Sequence, residues 1–157
     1  MAVQGRVDLT SVPFFLSGRT VVRDAEVILT NGARTTPLKQ YTLMGQVAAS
    51  RKWVPLTDVA ALDGSNTARG IYVGDDIPAA ALVAGDVANC PVVVGGDLAT
   101  FDSSLLVIEN SVTLNSVVSD DPAGADNGVV NTRIVADDLA RIGFYAEATV
   151  DIDNFEN

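Results

Sequence analysis

Residues 63–97 read DGSNTARGIYVGDDIPAAALVAGDVANCPVVVGGD, and this stretch decides the fold class. It alternates short apolar runs with Gly/Asp punctuation. Asp63-Gly64-Ser65-Asn66 is a turn by composition, because Asp and Asn bond to their own backbone and Gly accepts positive φ. Gly70-Ile71-Tyr72-Val73 then reads as a strand, stopped by Gly74-Asp75-Asp76. Ala81-Leu82-Val83-Ala84 and Val87–Val94 read as two further strands around Gly85-Asp86, with Gly95-Gly96-Asp97 as the terminator. Strands this closely spaced predict a small β-barrel or sandwich-like body.

Upstream the same grammar continues. Tyr41-Thr42-Leu43-Met44 and Gln46-Val47-Ala48-Ala49 are strand candidates divided by Gly45, which a β-bulge would require. Lys52-Trp53-Val54-Pro55-Leu56 follows a tight turn at Ser50-Arg51. Residues 1–36 are looser, with Gly5, Pro13, Gly18 and the turn Asn31-Gly32, and read as an extended N-terminal arm. Only Thr20–Leu29, rich in Val and Ile, has strand character within it.

Downstream, Leu105–Ile108 and Val112–Leu114 fit two strands better than a helix, because their β-branched side chains suit a pleated surface. Residues 119–128, SDDPAGADNG, form a loop by composition. One C-terminal helix is expected, capped by Asn131 or Thr132, with Val135, Leu139 and Ile142 on one stripe and Gly143 as the positive-φ residue after its end. Phe144–Val150 resumes as a strand. The expected division is therefore an arm over 1–36 and a β-rich domain over 37–157, with 98–130 as an insertion.

Composition excludes several functions. The chain has 157 residues, no histidine and one cysteine, Cys90. No Ser–His or Cys–His pair and no imidazole metal site can form. Cys90 lies in an apolar run and reads as a buried, inert thiol. No Walker loop or dinucleotide fingerprint occurs. Carboxylate pairs stand at Asp75-Asp76, Asp120-Asp121 and Asp137-Asp138, which read as solvated acids. The tail from Asp151 to Glu156 begins like a calcium loop but lacks its glycine and its final acid. No catalytic, cofactor or metal site is expected.

Net charge is −10. Residues 1–69 carry eight basic and five acidic side chains, whereas 70–157 carry two basic and fifteen acidic. An acidic surface repels nucleic acid. No run approaches the ~18 apolar residues of a membrane span, and the N-terminus lacks a signal-peptide pattern. The expectation is a cytoplasmically made protein with protein partners.

The pieces from Thr36-Pro37-Leu38, through Gly45–Leu56, Asp63-Gly64-Ser65, Gly70–Val73 and Ala84-Gly85-Asp86-Val87, to Arg141-Ile142-Gly143-Phe144 resemble the head decoration (capsid cement) proteins of tailed bacteriophages. The phage lambda decoration protein typifies that family. The resemblance implies a homotrimer at local three-fold positions on the outer virion surface. It would stabilise the expanded head, with the major capsid protein as partner and an N-terminal segment as the grip. The residues that would make the grip are Arg19, Thr20, Val21, Val22, Arg23, Val27 and Ile28, on a strand suited to extend a partner's sheet. Trp53 is the candidate trimer contact. The rival readings are a tail, fibre or adhesin subunit, and a small trimeric β-barrel enzyme using carboxylates.

Overall fold

The structure is a computed structural model, and it describes residues 14–119 and 133–147. It is mostly β, with a six-stranded sheet and a helix near the C-terminus. The strands are β1 (Phe15–Ile28), β2 (Leu43–Gln46), β3 (Trp53–Pro55), β4 (Gly70–Tyr72), β5 (Val87–Asp102) and β6 (Phe144–Glu147). The helices are α1 (Ala79–Ala84) and α2 (Val135–Arg141).

Pairing runs β1-β3-β2-β4-β5 and returns through a β1–β5 ladder, so these five strands form a closed circuit. β6 adds to β5 in parallel. Closure removes most sheet edges, which is how small β proteins avoid exposing unpaired backbone.

The central strands are buried on both faces, which explains their continuous apolar runs. Neighbours in sequence point to opposite sides of a strand. Leu43, Ile71 and Val93 accordingly join one core with Phe14, Leu56, Phe101, Val118, Val135, Leu139 and Phe144. Their neighbours Met44, Tyr72 and Val92 join a second core with Ile28, Leu38, Trp53, Ile77, Leu82 and Cys90.

Several expectations need correction. Ala81–Ala84 lies in helix α1, not in a strand. Pro78 precedes the helix, and only Leu82 of the helix is buried. Alanine favours helix where little packing opposes it, and Pro tolerates the helix start because no N–H is needed there. Gly95-Gly96-Asp97 does not end the strand, because β5 continues to Asp102. Gly96 is required by close approach: a Cβ there would lie 2.7 Å from the Arg19 carbonyl oxygen and from the Phe144 ring. Pro91, mid-strand, falls where the β1 register shifts between Arg23 and Glu26, so its missing N–H interrupts no ladder bond.

Residues 98–119 are not a separable insertion. Residues 98–102 complete β5, and Leu105, Leu106, Ile108, Val112 and Leu114 pack on the first core. The segment 104–118 forms turns with isolated bridges at Val107 and Val117, not the two strands expected. Arg34 fastens it to the N-terminal region: its guanidinium grips the Glu109 carboxylate with both terminal nitrogens and donates to the Pro37 carbonyl at 3.1 Å. The loop 120–130 and residues Asn131 and Thr132 lie outside the described residues, but neither of these two is the cap expected, because the N-cap position of α2 is Ile134.

The N-terminal region is likewise no free arm. β1 runs beside β5 from Phe15 to Ile28. Phe14 stacks on Tyr41 at 4.3 Å between ring centroids, and Ile28 is fully buried. Beyond β1, the Thr30 amide donates to Asp86 at 2.8 Å and its hydroxyl to the Leu82 carbonyl at 2.6 Å.

Helix α2 matches its expected stripe. Val135 and Leu139 are buried and Ile142 packs partly against the same core. Its first turn is closed by Asp137, whose carboxylate accepts from the Ile134 N–H at 2.9 Å. Leu139→Ala should therefore cost about 3 kcal/mol, through lost transfer energy and the cavity left behind. Chemical denaturation measures it, with an unchanged slope and a lower midpoint expected.

Candidate docking surface

The seven residues read as a grip all lie on β1, but they divide into two groups. Arg19, Thr20, Val21, Val22 and Arg23 are exposed, whereas Val27 is half-buried and Ile28 belongs to the core. Val27 and Ile28 are thus structural. Among the described residues, the edge of β1 away from β5 meets another strand only at Ile28↔Trp53, followed by Leu29 N–H donating to the Trp53 carbonyl at 2.9 Å. From Leu16 to Ala25 the outer edge carries no ladder within these residues.

Trp53 is not a contact residue. Its side chain is 2% exposed within the single chain, and its indole N–H donates to the Glu26 carboxylate at 2.7 Å. A buried indole needs such an acceptor. The bond pins the point where β1 leaves the body.

The β1–β5 pair is irregular, with five register shifts. Gly18 takes φ +83° at one of them, and a Cβ there would fall 2.4 Å from the Leu98 carbonyl oxygen. Opposite it, Leu98 adopts φ +48°. That region costs a non-glycine residue about 1–2 kcal/mol. Bulges twist an edge and restrict which partners can pair with it.

Exposed apolar side chains gather here. Of the eight large ones among the described residues, five belong to β1, β5 or β6: Leu16, Val21, Val22, Leu98 and Tyr145. Val21, Leu98 and Tyr145 also line one groove of about 490 Å³, floored by Gly95 and Gly96 and walled by residues 140–143 at the end of α2. Contiguous exposed apolar surface of this kind marks interaction sites more than scattered single residues do.

A second groove of similar volume runs from Tyr72 to Pro91, with Asp75, Asp76 and Cys90 in its lining. Its chemistry is muted. Burial raises the Cys90 thiol pKa, which disfavours the reactive thiolate. Burial also raises the Tyr72 phenol to about 12, while its hydroxyl donates to the Asp75 carbonyl at 2.5 Å. Because the folded state holds this proton more tightly than the unfolded chain, the stabilisation is complete below pH 10. It is lost as pH rises from 10 towards 12. An absorbance titration at 295 nm, compared with that of Tyr72→Phe, should show the Tyr72 phenol still protonated at pH 11 while the near-ultraviolet circular dichroism remains native.

The Asp137-Asp138 pair is also not what solvated neighbours would be. Asp137 is exposed and caps α2, but Asp138 is 1% exposed and lies 3.2 Å from the Arg133 guanidinium. Asp102, the other buried carboxylate among the described residues, accepts from the Ser104 amide at 2.9 Å and its hydroxyl at 2.6 Å. Neither lines either groove. Asp120-Asp121 and the tail 151–157 lie outside the described residues. No helix among the described residues is long and apolar enough to cross a membrane.

Nothing in the sequence pattern could have placed Leu98 on this surface, because it sits beyond the apparent end of its strand. Alternation from the buried Phe144 puts Tyr145 on the outward face with Glu147, but its place beside Leu98 depends on β6 pairing with β5. No family model, curated protein or solved structure matches the chain.

Proposed function

We propose that this chain is a structural, non-catalytic virion subunit that docks on other protein subunits through β1. The setting that best fits is the outer surface of an expanded tailed-phage head. There it binds the major capsid protein as a homotrimer at local three-fold positions, after synthesis in the host cytoplasm. The observation that carries the reading is the outer edge of β1 from Leu16 to Ala25, which carries no ladder among the described residues and is flanked by Arg19, Val21, Val22 and Arg23. An exposed strand edge binds a partner strand with main-chain hydrogen bonds, and its side chains supply selectivity. Several copies on one shell add avidity, which suits a subunit that reinforces without chemistry.

The patch also has a suitable charge. Arg19 and Arg23 stand on β1 in a chain of net charge −10, so the docking strand is locally more basic than the acidic body around it. Charge of this kind directs approach more than it adds affinity.

The test uses Val22→Lys. Val22 is exposed, so the substitution should shift stability by less than about 0.5 kcal/mol. A lysine on an edge strand opposes strand addition. Wild-type protein should co-sediment with expanded heads stripped of their outer decoration, and the variant should lose at least tenfold in affinity. Equal binding by both proteins would locate the grip elsewhere in the body. Binding of the wild type to tails or fibres but not heads would favour the tail-subunit reading.

A further inference from the structure

The groove between β5 and the end of α2 has a property that docking through the β1 edge does not use. It contains a projecting apolar side chain beside a hollow lined by glycine backbone and by both apolar and charged side chains. Leu98 is 69% exposed, the most exposed of the large apolar side chains described. Its φ of +48° is one that glycine or asparagine adopts with less strain. The backbone at this bulge therefore asks for Gly or Asn, and solvent asks for a polar residue, yet the position holds leucine. Neither the fold nor water accounts for that side chain, whereas a contact surface does.

The hollow next to it is shaped by small residues. Gly95 and Gly96 form its floor, and Gly143 lies against Gly96 so closely that no side chain could intervene. Val21, Ile142 and Tyr145 supply apolar walls. At about 490 Å³ it has room for a leucine side chain with its neighbours.

The charges beside these features are opposite in sign. Asp97 adjoins Leu98 and is exposed, and Arg141 lines the same groove with a side chain 65% exposed, one guanidinium nitrogen lying 3.9 Å from the buried Asp138 carboxylate and the rest open to solvent. A chain carrying −10 repels its own copies over most of its surface. Contact between copies needs a place where both signs are present and complementary. This patch supplies it, because a knob flanked by an acid and a hollow flanked by a base fit each other when both lie on every copy.

We infer that this groove is a self-association surface, in which Leu98 of one copy enters the hollow of another and Asp97 of the first meets Arg141 of the second. The contact stands on the groove alone and holds whatever binds the outer edge of β1. The Leu98 methyl groups leave water, and the glycine floor lets the incoming side chain approach backbone. The rim ion pairs fix orientation, and the buried leucine supplies most of the affinity.

The test is sedimentation velocity of the full 16.4 kDa chain over a wide concentration range. Wild-type protein should show a concentration-dependent multiple of that mass. Leu98→Asn keeps a residue that accepts positive φ, so its melting temperature at low concentration should hold or rise. Its association should weaken at least tenfold, about 1.4 kcal/mol. Asp97→Arg and Arg141→Glu should each weaken association, and mixing the two variants should restore a heavier species. An intramolecular Asp97–Arg141 contact could not produce that rescue. The inference is overturned if the wild type stays at 16.4 kDa throughout, or if Leu98→Asn associates like the wild type. It is also overturned if Leu98→Asn melts lower with no change in mass, which would mean the chain's own remaining residues cover the groove.

Discussion

Removing residues 1–36 is expected to abolish cooperative folding. The deletion takes away β1, and with it two of the pairings that close the strand circuit, to β3 and to β5. It removes Phe14 from one core and Ile28 from the other. The Glu26 carboxylate that accepts the Trp53 indole proton is lost, as is the Arg34 guanidinium that holds Glu109. Replacing a buried Phe or Ile by alanine alone costs about 2–5 kcal/mol each, so two such losses already consume most of the ~5–15 kcal/mol that stabilises a domain. The freed edge of β5 would also expose an unpaired backbone over its length. The near-ultraviolet signal of Trp53 should vanish, and urea unfolding should show no sigmoidal transition. A truncated chain with native circular dichroism would mean that β1 is dispensable to the body, as an arm would be.

Gly143→Val should cost about 4–6 kcal/mol, from backbone strain and from overpacking together. Gly143 has φ +90°, where a β-branched residue is a severe outlier. Space is also absent: a Cβ would lie 1.9 Å from the Gly96 carbonyl oxygen. That oxygen belongs to backbone, so relief requires moving β5 or lifting the α2–β6 turn. The turn is tied down by Gly96 N–H donating to the Ile142 carbonyl at 2.8 Å and Ala99 N–H to the Gly143 carbonyl at 2.9 Å. Thermal unfolding followed by circular dichroism measures the loss. A substitution that leaves the melting temperature within two degrees would contradict this account of the helix-to-strand turn.

The sequence carried the β class because its turn residues act locally. Asp63 accepts from the Ser65 amide at 3.0 Å and Gly64 takes φ +91°, so the DGSN signal and the conformation are the same fact. Helix α2 was legible for a similar reason: Val135, Leu139 and Gly143 each report on a spacing within one element. What stayed hidden depends on contacts between distant segments. Gly95-Gly96 looks like punctuation, but Gly96 is there because Arg19 and Phe144 press against it. Residues 1–36 look loose because β1 is exposed over most of its length, and its attachment to β5 is written in main-chain bonds that any side chain can make. Trp53 reads as a surface anchor until its acceptor, Glu26, is seen 27 positions away. Of the docking residues, Arg19–Arg23 were legible as a basic, β-branched strand. Leu98 and Tyr145 join them only because β5 runs on past its glycines and β6 pairs beside it.

The central claim is that the outer edge of β1 binds a protein shell. Quantitative co-sedimentation of wild-type and Val22→Lys protein with expanded, undecorated tailed-phage heads tests it most directly, with circular dichroism of both proteins as the folding control. Saturable binding by the wild type and at least tenfold weaker binding by an equally folded Val22→Lys protein is the predicted result. Indistinguishable saturation curves for the two proteins, or no binding by the wild type, would contradict it.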